Sequence, residues 1–293
     1  MLAGDASTFG ECSALVRRTL ILIVLMASLH PNAAVSADNA AHDIPQHGRS
    51  RFDYLIVDQP VAFPFSRLRA QIAAQLLPQP GLPPVKTSLI PFSRSLQRDA
   101  SAPDFFHFPR VVLAVDGDTR ANVAPLKDKL FIGYNEKAAV LEVISYNEAA
   151  GRFEFQLVRD YRAGKTPQVF YARRELCLAC HQNAAPIFAR PLWDETPANP
   201  AIAAGLRAAR RDFYGLPLSG TDVAYLIDAA VGRANLIPVW NRLWGEGCGM
   251  DAAGDICRAH WLAAADLPPL KRPKMVETPR WARQTHPDFP YYV

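Results

Sequence analysis

Two cysteines and a histidine fall within five consecutive residues, Cys177-Leu178-Ala179-Cys180-His181, in a chain of 293 residues that has five cysteines in all. A thiolate is a nucleophile and a metal ligand, and a neutral imidazole is the commonest metal-binding side chain in proteins. Two thiols at this spacing also form redox-active disulfides. The segment therefore indicates chemistry at sulfur. The order of its residues indicates which kind of chemistry this is.

The histidine directly after the second cysteine favours covalent attachment of haem. Cys-x-x-Cys-His is the attachment signature of c-type haem, in which the two thiols add to the two vinyl groups on one edge of the porphyrin. A histidine in the next position is then held below the ring, where an imidazole nitrogen can bind the iron. The sequence contains this motif once, so we expect one haem.

The segment CLACHQNAAPIF, residues 177–188, resembles the c-type cytochromes, and the resemblance is limited to this region. It implies that Cys177 and Cys180 form thioether bonds to one haem c and that His181 is the proximal iron ligand. It also implies that Pro186 lies where a proline helps to orient the imidazole. Nearby apolar side chains are expected to pack either on the porphyrin or in the protein core, and they are Phe188, Leu192 and Trp193.

Two other kinds of chemistry remain open for the motif. In the first, Cys177 and Cys180 form a short, redox-active disulfide. In the second they bind zinc, which takes four ligands and would draw on a further set at Cys248, Cys257 and His260. The simpler prediction for the further set is a Cys248–Cys257 disulfide that closes the loop GMDAAGDI in an oxidising compartment.

The ligand on the other face of the iron separates an electron carrier from a haem enzyme. Methionine raises the reduction potential and suits electron transfer, histidine lowers it, and an open position allows peroxide or oxygen chemistry. The c-type cytochromes commonly use a methionine downstream of the motif, and Met275 in the proline-flanked loop KRPKMVETP is the first choice. Met250, His260 and His107 are the alternatives, together with an open site.

We therefore expect an exported monohaem c-type cytochrome that transfers single electrons to a redox partner protein. The first alternative is a peroxidase-like haem enzyme with an open distal site and a general base at His107 or Glu277. The second is a sensor or binding protein in which haem reports a ligand. Three arginines, Arg173, Arg174 and Arg190, are expected to meet an acidic partner, to pair with haem propionates or to stay solvated.

Residues 1–37 predict a cleaved signal peptide. Arg17 and Arg18 precede the uncharged apolar run TLILIVLMASL, and small residues follow at the expected cleavage point. This run is too short to cross a bilayer, which takes about 20 residues, and no other segment reaches that length. We therefore expect a periplasmic or secreted protein that is soluble after cleavage and keeps four cysteines, since Cys12 leaves with the leader.

Composition and charge are those of an ordinary globular protein, with 49% hydrophobic residues, 20% charged residues and a net charge of +4. Lysine and arginine do not gather into a dense block, so nucleic acid is not expected as a partner. The 25 prolines predict long connections between short elements.

The middle of the chain carries the strand patterns. Apolar and β-branched runs predict strands at 110–115, 130–134, 139–146 and 152–161. The last two form an antiparallel hairpin, because the loop NEAAG between them ends at Gly151, which can take a left-handed conformation. Before this region, the pattern predicts a short strand within 51–62 and a helix at 67–77.

The C-terminal part carries the helix patterns. Apolar residues at helical spacing predict helices at 201–213, 221–236, 238–244 and 259–265. The expected fold class is α+β, with a β-rich N-terminal half (38–170) and a mainly α-helical, cytochrome c-like C-terminal half (171–293) that holds the haem.

Overall fold

The computed structural model of the chain describes residues 44–81, 83–93, 95, 97–121, 123–188, 194–209, 211–218, 223–249 and 251–265. The elements in these ranges are, in chain order, α1 (Arg51–Ile56), α2 (Phe65–Ala73), β1 (Val85–Ile90), a 3-10 helix (Arg98–Ser101), β2 (Arg110–Val115), β3 (Leu130–Asn135), β4 (Val140–Asn147), β5 (Arg152–Arg159), β6 (Gln168–Tyr171), α3 (Arg174–Leu178), α4 (Pro200–Ala208), α5 (Val223–Glu246) and α6 (Ala252–Ala265). None of the helices in the described ranges combines the length and the apolar character that a membrane span requires.

The six strands form one antiparallel sheet in which each strand pairs with the next along the chain, in the order β1 to β6. The hairpin predicted between residues 139 and 161 is present as β4 and β5, which pair from Leu141 with Val158 to Asn147 with Arg152. Gly151 closes the turn with a φ of 61°, a left-handed conformation that glycine adopts without steric cost.

Helices cover both faces of the sheet. On one face, α2 contributes Leu68 and Ile72 and α4 contributes Leu206 to a cluster that includes Leu113 and Leu141 of the strands. All five side chains are buried, because an apolar strand face and an apolar helix stripe exclude water only by packing together.

The opposite face, here called the α5 face, carries a second cluster. Phe131 and Tyr146 of the strands pack with Ile227 of α5 in this cluster. Ala185 and Phe188, which follow the Cys-x-x-Cys-His motif, belong to the same cluster. The motif is therefore attached to the α5 face of the sheet.

The predicted division into a β-rich N-terminal half and a mainly helical, cytochrome c-like C-terminal half is wrong. The sheet spans 85–171 in the middle of the described chain, two helices precede it, and the later helices α4 and α5 pack on its opposite faces. Residue 170, the predicted boundary, lies inside β6. The physical reason is that the strands carry apolar side chains on both faces, and each face requires a covering layer.

Three local predictions also differ from the structure. Residues 51–56 form α1 instead of a strand, because Ser50 and Asp53 build a capping box in which each side chain accepts a hydrogen bond from the backbone N–H of the other. Pro238 lies inside α5 instead of opening a helix of its own. Its missing N–H removes a helical hydrogen bond without ending the helix. The last helix, α6, begins at Ala252 and not at residue 259.

Leu76 and Leu77 offer a matched test of the core on the α2 side. The side chain of Leu76 is 1% exposed and that of its neighbour Leu77 is 46% exposed. We expect Leu76→Ala to lower the free energy of unfolding by about 2–5 kcal/mol and Leu77→Ala by less than about 0.5 kcal/mol. Urea unfolding of the two variants measures the difference, and equal losses would contradict the packing described above.

Candidate haem-attachment site

The Cys-x-x-Cys-His motif forms one tight turn at the end of α3. Cys177 lies in the last turn of this helix, which ends at Leu178. The backbone N–H groups of Cys180 and His181 both donate to the Cys177 carbonyl oxygen, at 3.2 and 2.8 Å. Cys177 is half-buried and Cys180 is exposed. The two sulfurs and the imidazole are thus carried by one compact stretch of backbone.

The imidazole of His181 is oriented by the backbone. Its Nδ1 lies 2.9 Å from the Ala185 carbonyl oxygen, and this oxygen only accepts, so Nδ1 carries the proton. Burial lowers the pKa of His181, the bond to Ala185 opposes the shift, and the charge of Arg110 adds to it. Neutral imidazole with a lone pair on Nε2 is therefore favoured, and this is the form that binds a metal.

Strand β5 supplies the surface on which the imidazole packs. The ring centroids of His181 and Phe155 are 5.4 Å apart, with an angle of 46° between the ring planes. The guanidinium of Arg174 lies over the same Phe155 ring, 5.3 Å from its centroid. One aromatic side chain of the sheet therefore contacts both the motif histidine and the first residue of α3.

Arg174 also fastens α3 to β5. Its Nη1 donates to the Phe153 carbonyl oxygen at 2.8 Å and to the Glu154 carboxylate at 3.3 Å. The Glu154 side chain is 3% exposed and also accepts from Arg152 Nε at 2.9 Å. Of the arginines considered for a partner surface, Arg174 thus binds β5. The side chain of Arg173 is exposed.

Helix α5 holds the segment that follows the histidine. Asn183 donates from its side-chain nitrogen to the side-chain oxygen of Asn235. Asn235 in turn donates to the carbonyl oxygen of the buried Pro186 at 3.3 Å. These contacts flank Ala185, and they fix the carbonyl that orients the His181 ring.

The sequence patterns did not predict a charged pair that lies beside the motif. Arg110 on β2 donates from Nη2 to Glu142 on β4 at 2.6 Å and from Nη1 to the Ser93 hydroxyl at 3.1 Å. Both charges act on the imidazole of His181. The available signal was weak, since Arg110 opens the apolar run RVVLAV and Glu142 interrupts the apolar run AVLEVISY.

The other two cysteines of the described chain form a disulfide. Cys248 and Cys257 have sulfurs 2.05 Å apart and Cα atoms 5.4 Å apart. Cys177 and Cys180 are not joined to each other. Among the described residues, no three or more histidine, cysteine, aspartate or glutamate side chains gather as metal ligands.

Within the described ranges, no contact joins the remaining predicted site residues to the motif. His107 is exposed and packs its ring on Phe108, with centroids 4.7 Å apart. His260 is exposed on α6. Several predicted residues lie outside the described ranges, as does the predicted signal peptide, and they are Met250, Met275, Glu277, Arg190, Leu192 and Trp193.

The chain was compared with protein families, with curated proteins and with solved structures. No family model matches it. No curated protein and no solved structure matches it either.

Proposed function

We propose that this chain is an exported monohaem c-type cytochrome that transfers single electrons. The observation that carries the proposal is the hydrogen bond from His181 Nδ1 to the Ala185 carbonyl oxygen, within a Cys-x-x-Cys-His turn. Metal-binding histidines almost always donate their second ring nitrogen in this way, which fixes the tautomer and the ring orientation. The fold of this chain builds that arrangement at the one histidine that the motif singles out.

Cys177 and Cys180 are the proposed attachment residues for one haem c, and His181 is the proposed proximal ligand. When bound, haem c supplies a one-electron iron couple. Cys180 is exposed, and this favours electron exchange with a redox partner protein on this side of the molecule.

Export to the periplasm or beyond is part of the proposal. Residues 1–37 have the pattern of a signal peptide, with two arginines before an apolar run. The disulfide between Cys248 and Cys257 fits an oxidising compartment, where such bonds form and persist.

For the distal iron position we propose Met275, with Met250 and His260 as alternatives. A thioether ligand raises the reduction potential and suits an electron carrier, whereas an open position suits an enzyme. The identity of this ligand thus separates the proposed function from a peroxidase-like one.

The visible spectrum of the haem-loaded protein tests this choice. We expect six-coordinate, low-spin iron whose spectrum is unchanged by cyanide or peroxide. Met275→Ala is expected to lose the methionine–iron charge-transfer band, whereas the matched variant Met250→Ala keeps it. High-spin iron that reacts with peroxide would instead support the peroxidase-like alternative, with His107 or Glu277 as the general base.

A further inference from the structure

Four residues form a diagonal line across the α5 face of the sheet next to the motif, in which Arg110 is a diagonal neighbour of Gly133 because Gly133 pairs with Val112. The four residues, from β2 to β5, are Arg110, Gly133, Glu142 and Phe155. Gly133 and Glu142 are direct partners in register, and Glu142 is a diagonal neighbour of Phe155. Diagonal neighbours in an antiparallel pair are about 7–8 Å apart. Since His181 packs on Phe155, the sheet register itself brings the charged pair close to the motif histidine.

Gly133 makes room for the guanidinium of Arg110. A Cβ atom at Gly133 would lie 2.2 Å from Arg110 Nη2 and 2.7 Å from its Cζ and Nε. The guanidinium therefore lies against the backbone of β3, on its way from β2 to Glu142 on β4. The side chains of Arg110 and Glu142 are 22% and 17% exposed, so solvent and salt screen their charges less than they screen charges at the surface.

One nitrogen of the Arg110 guanidinium carries a cost to the stability of the fold. Arg110 Nε is buried and has no hydrogen-bond partner among the described residues. A buried donor without an acceptor destabilises a fold, and well-packed apolar side chains often replace a buried ion pair without loss of stability. A charged pair retained at such a cost beside the motif points to a role in what the motif binds.

We propose that Arg110 and Glu142 are positioning residues whose opposite charges set the reduction potential of the iron held by His181. This inference rests on the proposed function. Reduction adds one electron to the site, so a nearby positive charge stabilises the reduced form and a nearby negative charge stabilises the oxidised form.

The two charges can be removed one at a time. Arg110→Gln leaves the Glu142 carboxylate unbalanced and is expected to lower the reduction potential. Glu142→Gln leaves the guanidinium unbalanced and is expected to raise it. Each shift is expected to change the equilibrium constant for reduction about tenfold, which is about 59 mV for one electron. The double variant is expected to return close to the wild-type potential, since the intact pair is neutral.

The pair of Arg211 and Glu136 is the matched control. Its N–O distance is also 2.6 Å, and its side chains are 20% and 34% exposed. Arg211 packs over Phe213, which belongs to the cluster on the face opposite the motif. Arg211→Gln and Glu136→Gln remove the same charges and are expected to change the equilibrium constant for reduction less than twofold.

Spectroelectrochemical titration of the haem-loaded proteins at mildly alkaline pH, where carboxylates are ionised, measures these potentials. Opposite shifts in the two single variants, with cancellation in the double variant, support the inference. Shifts of the same sign, or no shift, overturn it and leave the proposed function standing as long as haem is attached. A wild-type protein without attached haem overturns the proposed function itself. If Arg110→Gln does not fold, Glu142→Gln alone tests the inference. Its reduction potential must then be higher than that of the wild-type protein.

Discussion

Cys177→Ala combined with Cys180→Ala is expected to abolish covalent haem in this protein. A thioether bond requires a sulfur atom, and these are the two sulfurs of the Cys-x-x-Cys-His turn. The change leaves the bond from His181 to Ala185 in place, so any haem that still binds is held by coordination alone and is released on denaturation. Haem staining after denaturing electrophoresis and the pyridine haemochrome spectrum measure the loss, which is expected to be complete.

The second cysteine pair supplies the control for this experiment. Cys248→Ala combined with Cys257→Ala removes the same number of sulfurs from the same chain. We expect this variant to keep its covalent haem and to lose about 2–4 kcal/mol of stability, because its unfolded chain is no longer constrained by a closed loop. Equal loss of haem in both double variants would mean that attachment depends on the general state of the fold and not on the motif.

Glu154→Ala is expected to lower the free energy of unfolding by about 2–3 kcal/mol. The Glu154 side chain is 3% exposed and binds Arg152 and Arg174, which are 43% and 18% exposed. Without the carboxylate, the partly buried guanidinium of Arg174 loses its contact with Glu154 at the first turn of α3. Chemical unfolding measures the loss, and hydrogen exchange is expected to be faster at the amides of Cys180 and His181.

Two further variants calibrate this prediction. Glu154→Gln keeps the shape and part of the hydrogen bonding, so its loss is expected to be smaller than that of Glu154→Ala. Glu246→Ala removes a carboxylate that is 69% exposed and pairs with Arg242 one turn earlier on α5, and it is expected to cost less than about 0.5 kcal/mol. A loss at Glu154 no larger than that at Glu246 would contradict the anchoring role of Arg174.

Local sequence patterns predict the elements that form through interactions between residues close in sequence. The β4–β5 hairpin follows from alternating apolar residues and from a glycine at the position that needs a positive φ. Strand β1 was missed because its sequence, VKTSLI, mixes polar and apolar residues. Lys86 in this strand is 2% exposed, and its Nζ donates to the Pro83 carbonyl oxygen at 2.6 Å. Burial of a lysine by such a contact is a tertiary effect that no periodicity shows.

Local sequence patterns also do not predict how the helices pack on the sheet. The helical spacing in 221–236 predicted a helix, but not that its Ile227 would pack on Phe131 of the sheet. Contacts of this kind join residues far apart in sequence. Local patterns therefore predict two separate halves, whereas the structure packs helices onto both faces of one sheet.

The candidate site also combines residues that are close in sequence with residues that are far apart in sequence. The five-residue motif is local, so the sequence alone singled out Cys177, Cys180 and His181. The side chains that surround the motif come from β2, β4 and β5, and the sheet register brings them together. The contact of Arg110 with Glu142 depends on that register, and the contact of Arg174 with Glu154 depends on how α3 packs on β5. A single sequence reveals neither of them.

Covalent haem is tested most directly by the intact mass, under denaturing conditions, of the wild-type protein produced in a bacterial host that attaches haem c to exported proteins. The predicted mass is that of the polypeptide without residues 1–37 plus one haem. The mass of the bare polypeptide, with the sulfurs of Cys177 and Cys180 present as thiols or bonded to each other, would contradict a cytochrome function for this chain.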